Sequence, residues 1–354
     1  MDHRHLEFVA NLHRELPAAG NLPWSPYSVA SALGIAASGA RGATRDELVR
    51  ALVPGGDLDE LARLLARAAQ LSKAEVGIAN TLWMRHGTPF REEFQQTVRN
   101  WPGGAVETAD FRSDAEGSRQ KINNTVEQDT RGLVRDLLAP GTIHAETGAV
   151  IVNALYLKVA WQAPFVEADT RPAAFHASSG TREVPTMRQQ SSLRYGAAGG
   201  WRLVTLPTVS DVVVDVLLAD DERAPLGAAT VAELHSASRD TKVDLALPRF
   251  RIESEMELNR PLAGVGVRAA FSPRLADFSG ISPEPMFIET AVHKAVLDVD
   301  EQGFEGAAAT ALAMRLVSID LSRPVPFHVD RPFIVLVRNR RTGAVYFLAR
   351  VEEP

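Results

Sequence analysis

Apolar side chains recur at helical spacing near the start of the chain. Leu6, Val9, Leu12 and Leu16 lie three or four residues apart, which predicts an amphipathic helix. A second, small-residue helix should follow Ser25 and Pro26 and end near the glycines at 39 and 42. Thr44, with Glu47 three residues later, matches a capping box and predicts the start of a third helix.

Strand-like patterns dominate from Ala149 onwards, beginning with the buried run "AVIVNALYL". The runs "WRLVTLP", "DVVVDVLLA", "KVDLALPRFRI", "FIVLVRN" and "AVYFLARV" follow, and "RRTG" should join the last two into a hairpin. Helices should come first and strands later, which indicates an α+β fold with mostly antiparallel sheets. Further helices are predicted at Leu58–Leu71, Arg91–Val98, Ser113–Thr130, Ala232–Ala237 and Ser254–Leu262.

Composition favours one large domain that spans residues 1–354. Hydrophobic residues make up 45% of the 354 positions, and no linker, repeat or low-complexity block divides them. The net charge of −6, with dispersed arginines, argues against a nucleic-acid partner. With no cysteine, neither a disulfide framework nor a thiolate metal site is available. Proteins are therefore the expected partners, and no metal or cofactor is expected.

The start of the chain does not have the pattern of a secretory signal. The N-terminal "MDHRHLEFVANLHREL" lacks the apolar core of a secretory signal, and no run approaches the length of a membrane span. If the chain is full length, a cytoplasmic protein is expected. If a signal was removed, a secreted one is expected.

Motifs of common enzymes are missing from the sequence. It contains no Gly-x-Ser-x-Gly elbow, no Walker loop and no Gly-x-Gly-x-x-Gly after a strand. "GVG" at 264–266 fits a helix end better than a nucleotide loop. His293 lies in the strand-like "AVHKAVLDVD", where a hydrogen-bonded core histidine is the default. A hydrolase using Ser28 and His293 is the remaining enzyme hypothesis.

Several segments together resemble one family, the serpins, and suggest a bacterial-type member. The resemblance covers about Leu6 to Pro354 and is carried, in order, by "NLPWSPYSVASALGIAASGARGATRDEL", "IANTLWMRHGTPFREEF", "INNTVEQDTRGLVRDLL", "VNALYLKVAWQAPF", "EVPTMRQ", "LALPRFRI", "LAGVGVRAAFSPRLADFSGIS", "AVHKAVLDVDEQGFEGAAATA" and "FHVDRPFIVLVRNRRTGAVYFLARVEEP".

The resemblance implies a metastable single domain with three β-sheets, eight or nine helices and an exposed reactive-centre loop at about 301–326. It also implies a protease inhibitor rather than an enzyme, acting as a monomer. A serine protease attacks the loop, and the loop then inserts into the central sheet before the covalent acyl-enzyme is released. The alternative within the family is a non-inhibitory member that serves as a substrate, carrier or chaperone.

The family's functional positions can be placed on this chain residue by residue. The hinge corresponds to Glu301, Gly303, Phe304, Glu305, Gly306, Ala307 and Ala308. In this family the reactive bond usually follows the seventeenth residue counted from the hinge glutamate. Counting from Glu301 places the bond between Val317 and Ser318, which suits an elastase-like or subtilisin-like protease. The rival bond, between Arg315 and Leu316, would suit a trypsin-like protease. The shutter and breach, where central strands part, correspond to Ser25, Ser28, Asn153, Trp161 and His293, with Glu301 also at the breach.

The hinge stretch "EQGFEGAAATALA" has the period-two pattern of a strand. Phe304, Gly306, Ala308, Thr310, Leu312 and Met314 would lie on one face, and the intervening small or charged residues on the other. Phe304 stands where the family usually has threonine or serine. We therefore expect its ring to hinder the first step of insertion, and to pack against Trp161 once inserted.

Overall fold

The protein is described by a computed structural model, which covers residues 3–220, 226–304 and 323–354. Its described residues form eight α-helices and fifteen β-strands. The helices are α1 (His3–Glu15), α2 (Pro26–Gly39), α3 (Gly42–Leu52), α4 (Leu58–Ala69), α5 (Glu92–Val98), α6 (Ala115–Asp129), α7 (Ala228–Ala237) and α8 (Asn259–Gly264). None of these helices is long and apolar enough to cross a membrane.

Three strands lie among helices α1 to α6, and the other twelve follow, interrupted by α7 and α8. They are β1 (Leu22–Trp24), β2 (Glu75–Arg85), β3 (Gly104–Ala109), β4 (Ala149–Ala160), β5 (Arg171–Ala177), β6 (Gly180–Ala198), β7 (Trp201–Pro207), β8 (Val212–Ala219), β9 (Arg239–Pro248), β10 (Phe250–Glu257), β11 (Thr290–Val299), β12 (Gly303–Phe304), β13 (Val325–His328), β14 (Phe333–Asn339) and β15 (Val345–Val351).

Hydrogen bonds arrange the strands into a six-stranded and a nine-stranded sheet. The six-stranded sheet has the order β10-β11-β12-β4-β2-β3, and the other has β1-β15-β14-β8-β7-β6-β9-β13, with β5 on β6. Strand β6 is 19 residues long and pairs with β5, β9 and β7 along its length, so it joins what would otherwise be two separate sheets. The α+β fold class is thus confirmed.

Helix α2 is buried on almost every side, which explains its small and apolar sequence. Ser25 caps it, because its Oγ accepts the backbone N–H of Ser28 at 3.1 Å, and Pro26 occupies the first helical position. The helix ends at Gly39, where a Cβ atom would lie 2.1 Å from the side chain of Ile281. The predicted start and end of this helix are therefore confirmed.

The predicted capping box at Thr44 and Glu47 is wrong. Helix α3 begins at Gly42, and its N-cap, Arg41, makes no side-chain cap hydrogen bond. Thr44 Oγ1 accepts the backbone N–H of Asp277 at 2.9 Å, while Glu47 accepts the backbone N–H groups of the 268–269 segment at 2.8 and 2.7 Å. Contacts with a distant segment have displaced the local capping pattern.

The predicted helix at Ser254–Leu262 is also wrong in its first half. Strand β10 continues to Glu257, with all eight of its residues paired to β11, and helix α8 begins at Asn259. The run "SEMEL" suits a helix by propensity, but its side chains alternate in exposure along the strand. Pairing with a neighbouring strand overrides that propensity.

Two hydrophobic clusters lie on opposite faces of the six-stranded sheet. The larger one contains residues from Leu6 to Val351 and includes α2. The smaller one lies under α6 and under the connector, defined here as residues 130–148 between α6 and β4. Side chains of β4 alternate between the clusters, with Leu155 and Leu157 in the larger and Val150 and Val152 in the smaller.

Candidate functional site: a gap in the six-stranded sheet

Strands β4 and β11 are neighbours, but they pair at only one end. Four parallel pairs join Val150–Asn153 of β4 to Thr290–His293 of β11. At the other end the two-residue strand β12 lies between them, with Gly303 opposite Ala160 and with Phe304 opposite both Val159 and Val299.

A gap separates these two paired regions. Among the described residues, 154–158 of β4 and 294–298 of β11 have no ladder partner on the sides that face each other. Their outer sides are paired, β4 with β2 and β11 with β10. The sheet can therefore accept one more strand here, five residues long before it meets the existing pairs.

The side chain of Phe304 already lies in a buried position, here called its seat, at the end of the gap where β12 pairs with β4 and β11. Its side chain is 1% exposed, and the centroid of its ring lies 5.6 Å from that of Phe347 on β15. Trp161 instead packs edge-to-face with Phe165, at 6.4 Å between centroids. In the intact chain the aromatic partner of Phe304 is therefore Phe347, and the ring need not enter the sheet as a first step because it is already inside.

Gly303 precedes this seat and can only be glycine. A Cβ atom at this position would lie 2.3 Å from the carbonyl oxygen of Val159, far inside van der Waals contact. The absence of a side chain allows β12 to approach β4 closely enough to form its pairs.

The turn that leads into β12 is held by hydrogen bonds from both sides. Trp161 donates its backbone N–H to the carbonyl of Gln302 at 3.0 Å and its Nε1–H to the carbonyl of Asp300 at 2.8 Å. The Asp300 carboxylate accepts the N–H groups of Gln302 and Gly303 at 2.8 and 3.0 Å. Such an Asx-type turn fixes the direction in which the hinge enters the sheet.

Glu301 is the buried carboxylate of the hinge, at 5% exposure. It accepts the hydroxyl of Thr170 at 2.8 Å and lies 3.7 Å from the Arg249 guanidinium. Its backbone carbonyl accepts the N–H of Phe165 at 2.9 Å. A buried charge with these partners anchors the base of the hinge to the segment that follows β4.

Asn153 and His293 lie side by side at the closed end of the gap. The backbone N–H of Ser25 donates to His293 Nε2 at 2.9 Å, so Nε2 carries no proton. The other nitrogen, Nδ1, therefore holds the proton and donates it to Asn153 Oδ1 at 2.5 Å. The neutral imidazole thus links α2, β4 and β11 at the position where the two strands begin to pair.

Burial keeps this imidazole neutral. His293 is fully buried, and desolvation lowers its pKa to about 3. A proton on Nε2 would also remove the acceptor of the Ser25 N–H and place two N–H groups against each other. Since both ring nitrogens are engaged and shielded from solvent, the geometry disfavours a hydrolase with His293 as its base. Ser28 is equally buried, and its Oγ has no hydrogen-bond partner among the described residues.

We expect the chain to lose stability as the pH falls from 6.5 towards 3. The unfolded chain binds a proton at His293 near pH 6.5 while the folded chain does not, so the free energy of unfolding should fall by about 2–3 kcal/mol between pH 6.5 and 4.5 from this residue alone. Urea unfolding of the wild type and of His293→Gln measures the effect. The variant should show a shallower pH dependence, and parallel curves would contradict the assignment. His13 is partly buried, and desolvation together with the nearby charge of Arg350 lowers its pKa, so it contributes the same pH dependence to the wild type and to the variant.

Removing the Phe304 ring should destabilise the intact chain. Phe304→Ala leaves an empty seat beside Phe347, at a cost of about 2–4 kcal/mol, which corresponds to a melting temperature lower by about 3–6 °C at this chain length. Differential scanning calorimetry measures the change. Phe90→Ala, which alters a partly buried phenylalanine outside this gap, is the control for general loss of packing. A Phe304→Ala midpoint within 1 °C of the wild type would mean that the ring contributes nothing in its seat.

The predicted site residues divide into those the structure describes and those it does not. It brings Glu301, Gly303, Phe304 and Trp161 together at one end of the gap. It brings Ser25, Ser28, Asn153 and His293 together at the other. The hinge residues Glu305, Gly306, Ala307 and Ala308 and the bond candidates Arg315, Leu316, Val317 and Ser318 lie outside the described residues. The predicted loop end at 326 is late, because Val325 and Pro326 already pair with β9.

Sequence reasoning missed several groups that complete the site. Asp300 had a usable signal, since an aspartate three residues before a glycine is typical of a turn. Thr170, Arg249 and Phe347 had none, because their partners in the hinge lie between 43 and 131 residues away in the sequence.

Comparison with known proteins agrees with this geometry. The family model described as "Serpin (serine protease inhibitor)" matches residues 4–354. The chain belongs to the serpin family.

Individual relatives match this serpin over almost all of its length. A serpin-like protein of Thermococcus kodakarensis is 32% identical over 362 residues, covering 98% of this chain and 84% of the relative. Uncleaved ovalbumin has a similar structure, with a TM-score of 0.88, 25% identity and 99% of both chains covered. Human thyroxine-binding globulin complexed with thyroxine matches with a TM-score of 0.86 and 25% identity, covering 99% of this chain and 97% of the globulin. Serpins as a family are protease inhibitors.

Proposed function

We propose that this serpin inhibits serine proteases by covalent trapping, with its reactive-centre loop inserting between β4 and β11. The observation that carries the proposal is the five-residue gap. The hinge lies in the sheet at one end of it, and at the other end the two strands are joined through the hydrogen-bonded side chains of Asn153 and His293. A serpin that only served as a substrate would not need an acceptor position for its loop inside the sheet.

The register of β12 predicts where each inserted residue would lie. Phe304 is opposite Val159 on β4 and opposite Val299 on β11. Because both pairings are antiparallel, each later loop residue moves one position back along both strands. Residues 305–309 would then fill the gap. Thr310, six positions after Phe304, would lie opposite Asn153 and His293 at the same time.

The position of residue 310 opposite both Asn153 and His293 supports insertion of the loop beyond the gap. Thr310 would lie on the same face of the sheet as Phe304, Asn153 and His293, since paired residues and alternate residues share a face. A hydroxyl group can both donate and accept, so it can replace the hydrogen bond that Asn153 and His293 lose when the strands separate. Gly306 and Ala308, on the same face, are small enough to pass over the core.

For the target, we propose an elastase-like or subtilisin-like serine protease that cleaves between Val317 and Ser318. A β-branched side chain of medium size suits a shallow primary pocket. Cleavage after Arg315 would instead indicate a trypsin-like target.

A carrier role, one of the non-inhibitory alternatives, finds little support in the cavity between helices α1 and α7. An apolar cavity lies between α1 and α7 and is lined by Leu6, Val9 and Val231, but it leaves room for only about 20 Å³. Pockets for drug-sized ligands measure about 300–1,000 Å³. This cavity would have to open considerably before it could hold such a ligand.

Denaturing gel electrophoresis after incubation with a panel of serine proteases tests the proposal. We expect an adduct of serpin and protease that survives SDS, because an ester bond joins them. A protease whose catalytic serine has been replaced by alanine is the matched control and should give no adduct. Complete cleavage of the serpin without any adduct, by every protease in the panel, would favour the non-inhibitory alternative.

A further inference from the structure

A second cavity, of about 410 Å³, opens at the surface on the side of the sheet opposite α2. One wall is formed by the connector, through Leu137, Ala139 and Thr142. The other wall is formed by β10 and β11, through Glu255, Glu257 and Val292. Its volume falls within the range of small-molecule sites.

The lining combines an apolar surface with an acidic rim. Leu137 and Val292 belong to the hydrophobic cluster under α6 and contribute the apolar part. Glu255 and Glu257 are both exposed and, two residues apart on one strand, lie about 7 Å apart on the same face. This arrangement suits a ligand with an apolar body and a cationic head.

One of the two carboxylates is not neutralised by the protein. Lys294 lies 3.4 Å from Glu255 and also donates to the carbonyl of Arg135 at 2.9 Å. Within the described ranges, Glu257 makes no ion pair within 4.0 Å. Glu289, next to the lining residue Thr290, adds a third carboxylate; its Oε1 pairs with His144 at 2.7 Å, and its buried Oε2 has no hydrogen-bond partner in the same ranges.

The two walls belong to parts of the molecule that loop insertion would separate. The connector is tied to α6 by two hydrogen bonds between Asn123 and the backbone of Leu138, at 3.0 and 2.8 Å. Strands β10 and β11 are on the far side of the gap from β4. Widening the gap for a new strand would therefore move β10 and β11 relative to β4 and to the connector above it.

We propose that this cavity is a binding site for small organic cations with an apolar body, such as arylalkyl amines. The aromatic or aliphatic part lies against Ala139 and Val292, and the ammonium or guanidinium group pairs with Glu257. A bound ligand contacts both walls and so holds β10 and β11 in place, which opposes insertion of the loop. This consequence rests on the proposed function, whereas the binding itself does not.

Ligand-observed NMR titration with 4-phenylbutylamine tests the site on the full chain. We expect saturable binding of the amine to the intact protein, at least tenfold tighter than binding of 4-phenylbutanoate, which has the same body with the opposite charge. Glu257→Gln should weaken binding of the amine by about fivefold. Glu253→Gln is the matched control, because Glu253 lies on the same face of β10 outside the cavity lining, and it should leave binding unchanged.

A second variant separates loss of charge from loss of space. Ala139→Phe fills the cavity from the connector side and should abolish binding while all carboxylates remain. Equal affinity for the amine and the carboxylate, or equal effects of Glu257→Gln and Glu253→Gln, would overturn the site.

For the effect on insertion, the amine should bind the intact chain at least threefold more tightly than the chain cleaved in the loop. Equal binding to both forms would overturn that effect. Binding to the intact chain without any protease adduct would instead count against the proposed function alone.

Discussion

Thr310→Arg is expected to convert the protein from an inhibitor into a substrate. In the register set by β12, residue 310 would enter between Asn153 and His293 on the face covered by α2, where both side chains are buried. Burying an unpaired guanidinium there would cost about 3–5 kcal/mol. If that cost falls in the transition state of insertion, the rate of insertion falls by about two to four orders of magnitude.

The measurement is the number of moles of serpin needed to silence one mole of protease, together with the yield of SDS-resistant adduct. Slow insertion lets the acyl-enzyme hydrolyse, so the variant should be cleaved completely and form almost no adduct. Thr310→Ser, which keeps the hydroxyl, should behave like the wild type. An arginine variant that forms adduct as well as the serine variant would show that residue 310 does not reach the buried face.

Cleavage of the reactive loop is expected to raise the melting temperature by about 10–40 °C. A cleaved loop is free to enter the gap, where it gains backbone hydrogen bonds to β4 and β11 and buries the apolar face that includes Leu312. We estimate a net gain of about 10–20 kcal/mol, and each kcal/mol corresponds to about 1–2 °C at this length.

Calorimetry of the intact and cleaved protein measures this difference, and mass spectrometry of the cleaved sample locates the bond. Cleaved Thr310→Arg is the internal control. Its loop is cut at the same bond, but its melting temperature should rise much less. A cleaved wild type that melts at the temperature of the intact protein would rule out insertion. A cut after Arg315 would move the reactive bond from Val317 to the rival position.

The parts of this molecule that the sequence predicts well are those with a strong local pattern. Strand β4 is recognisable because its run of β-branched and apolar residues is buried on both faces, between the two hydrophobic clusters. Helix α2 is recognisable because Ser25 and Pro26 begin it and a glycine ends it. The shutter and breach positions were located through family resemblance, not through any local pattern.

The failures occur where tertiary contacts override a local rule. Thr44 and Glu47 have the spacing of a capping box, but both bond to the 268–277 segment. Ser254–Glu257 contains good helix formers, but it forms a strand because it pairs with β11. The seat of Phe304 depends on Phe347, and the gap depends on where two strands stop pairing. Neither is visible from residues that are neighbours in sequence.

Hydrogen exchange along the gap, before and after cleavage of the loop, tests the central claim most directly. Backbone amides in 154–158 and 294–298 that point into the gap have no ladder partner among the residues described for the intact chain, whereas an inserted strand would pair with them. We predict that their exchange slows by at least about 100-fold on cleavage. Amides of β10 that pair with β11 serve as the reference and should change little. Unchanged exchange in both gap segments after complete cleavage would contradict insertion of the loop between β4 and β11.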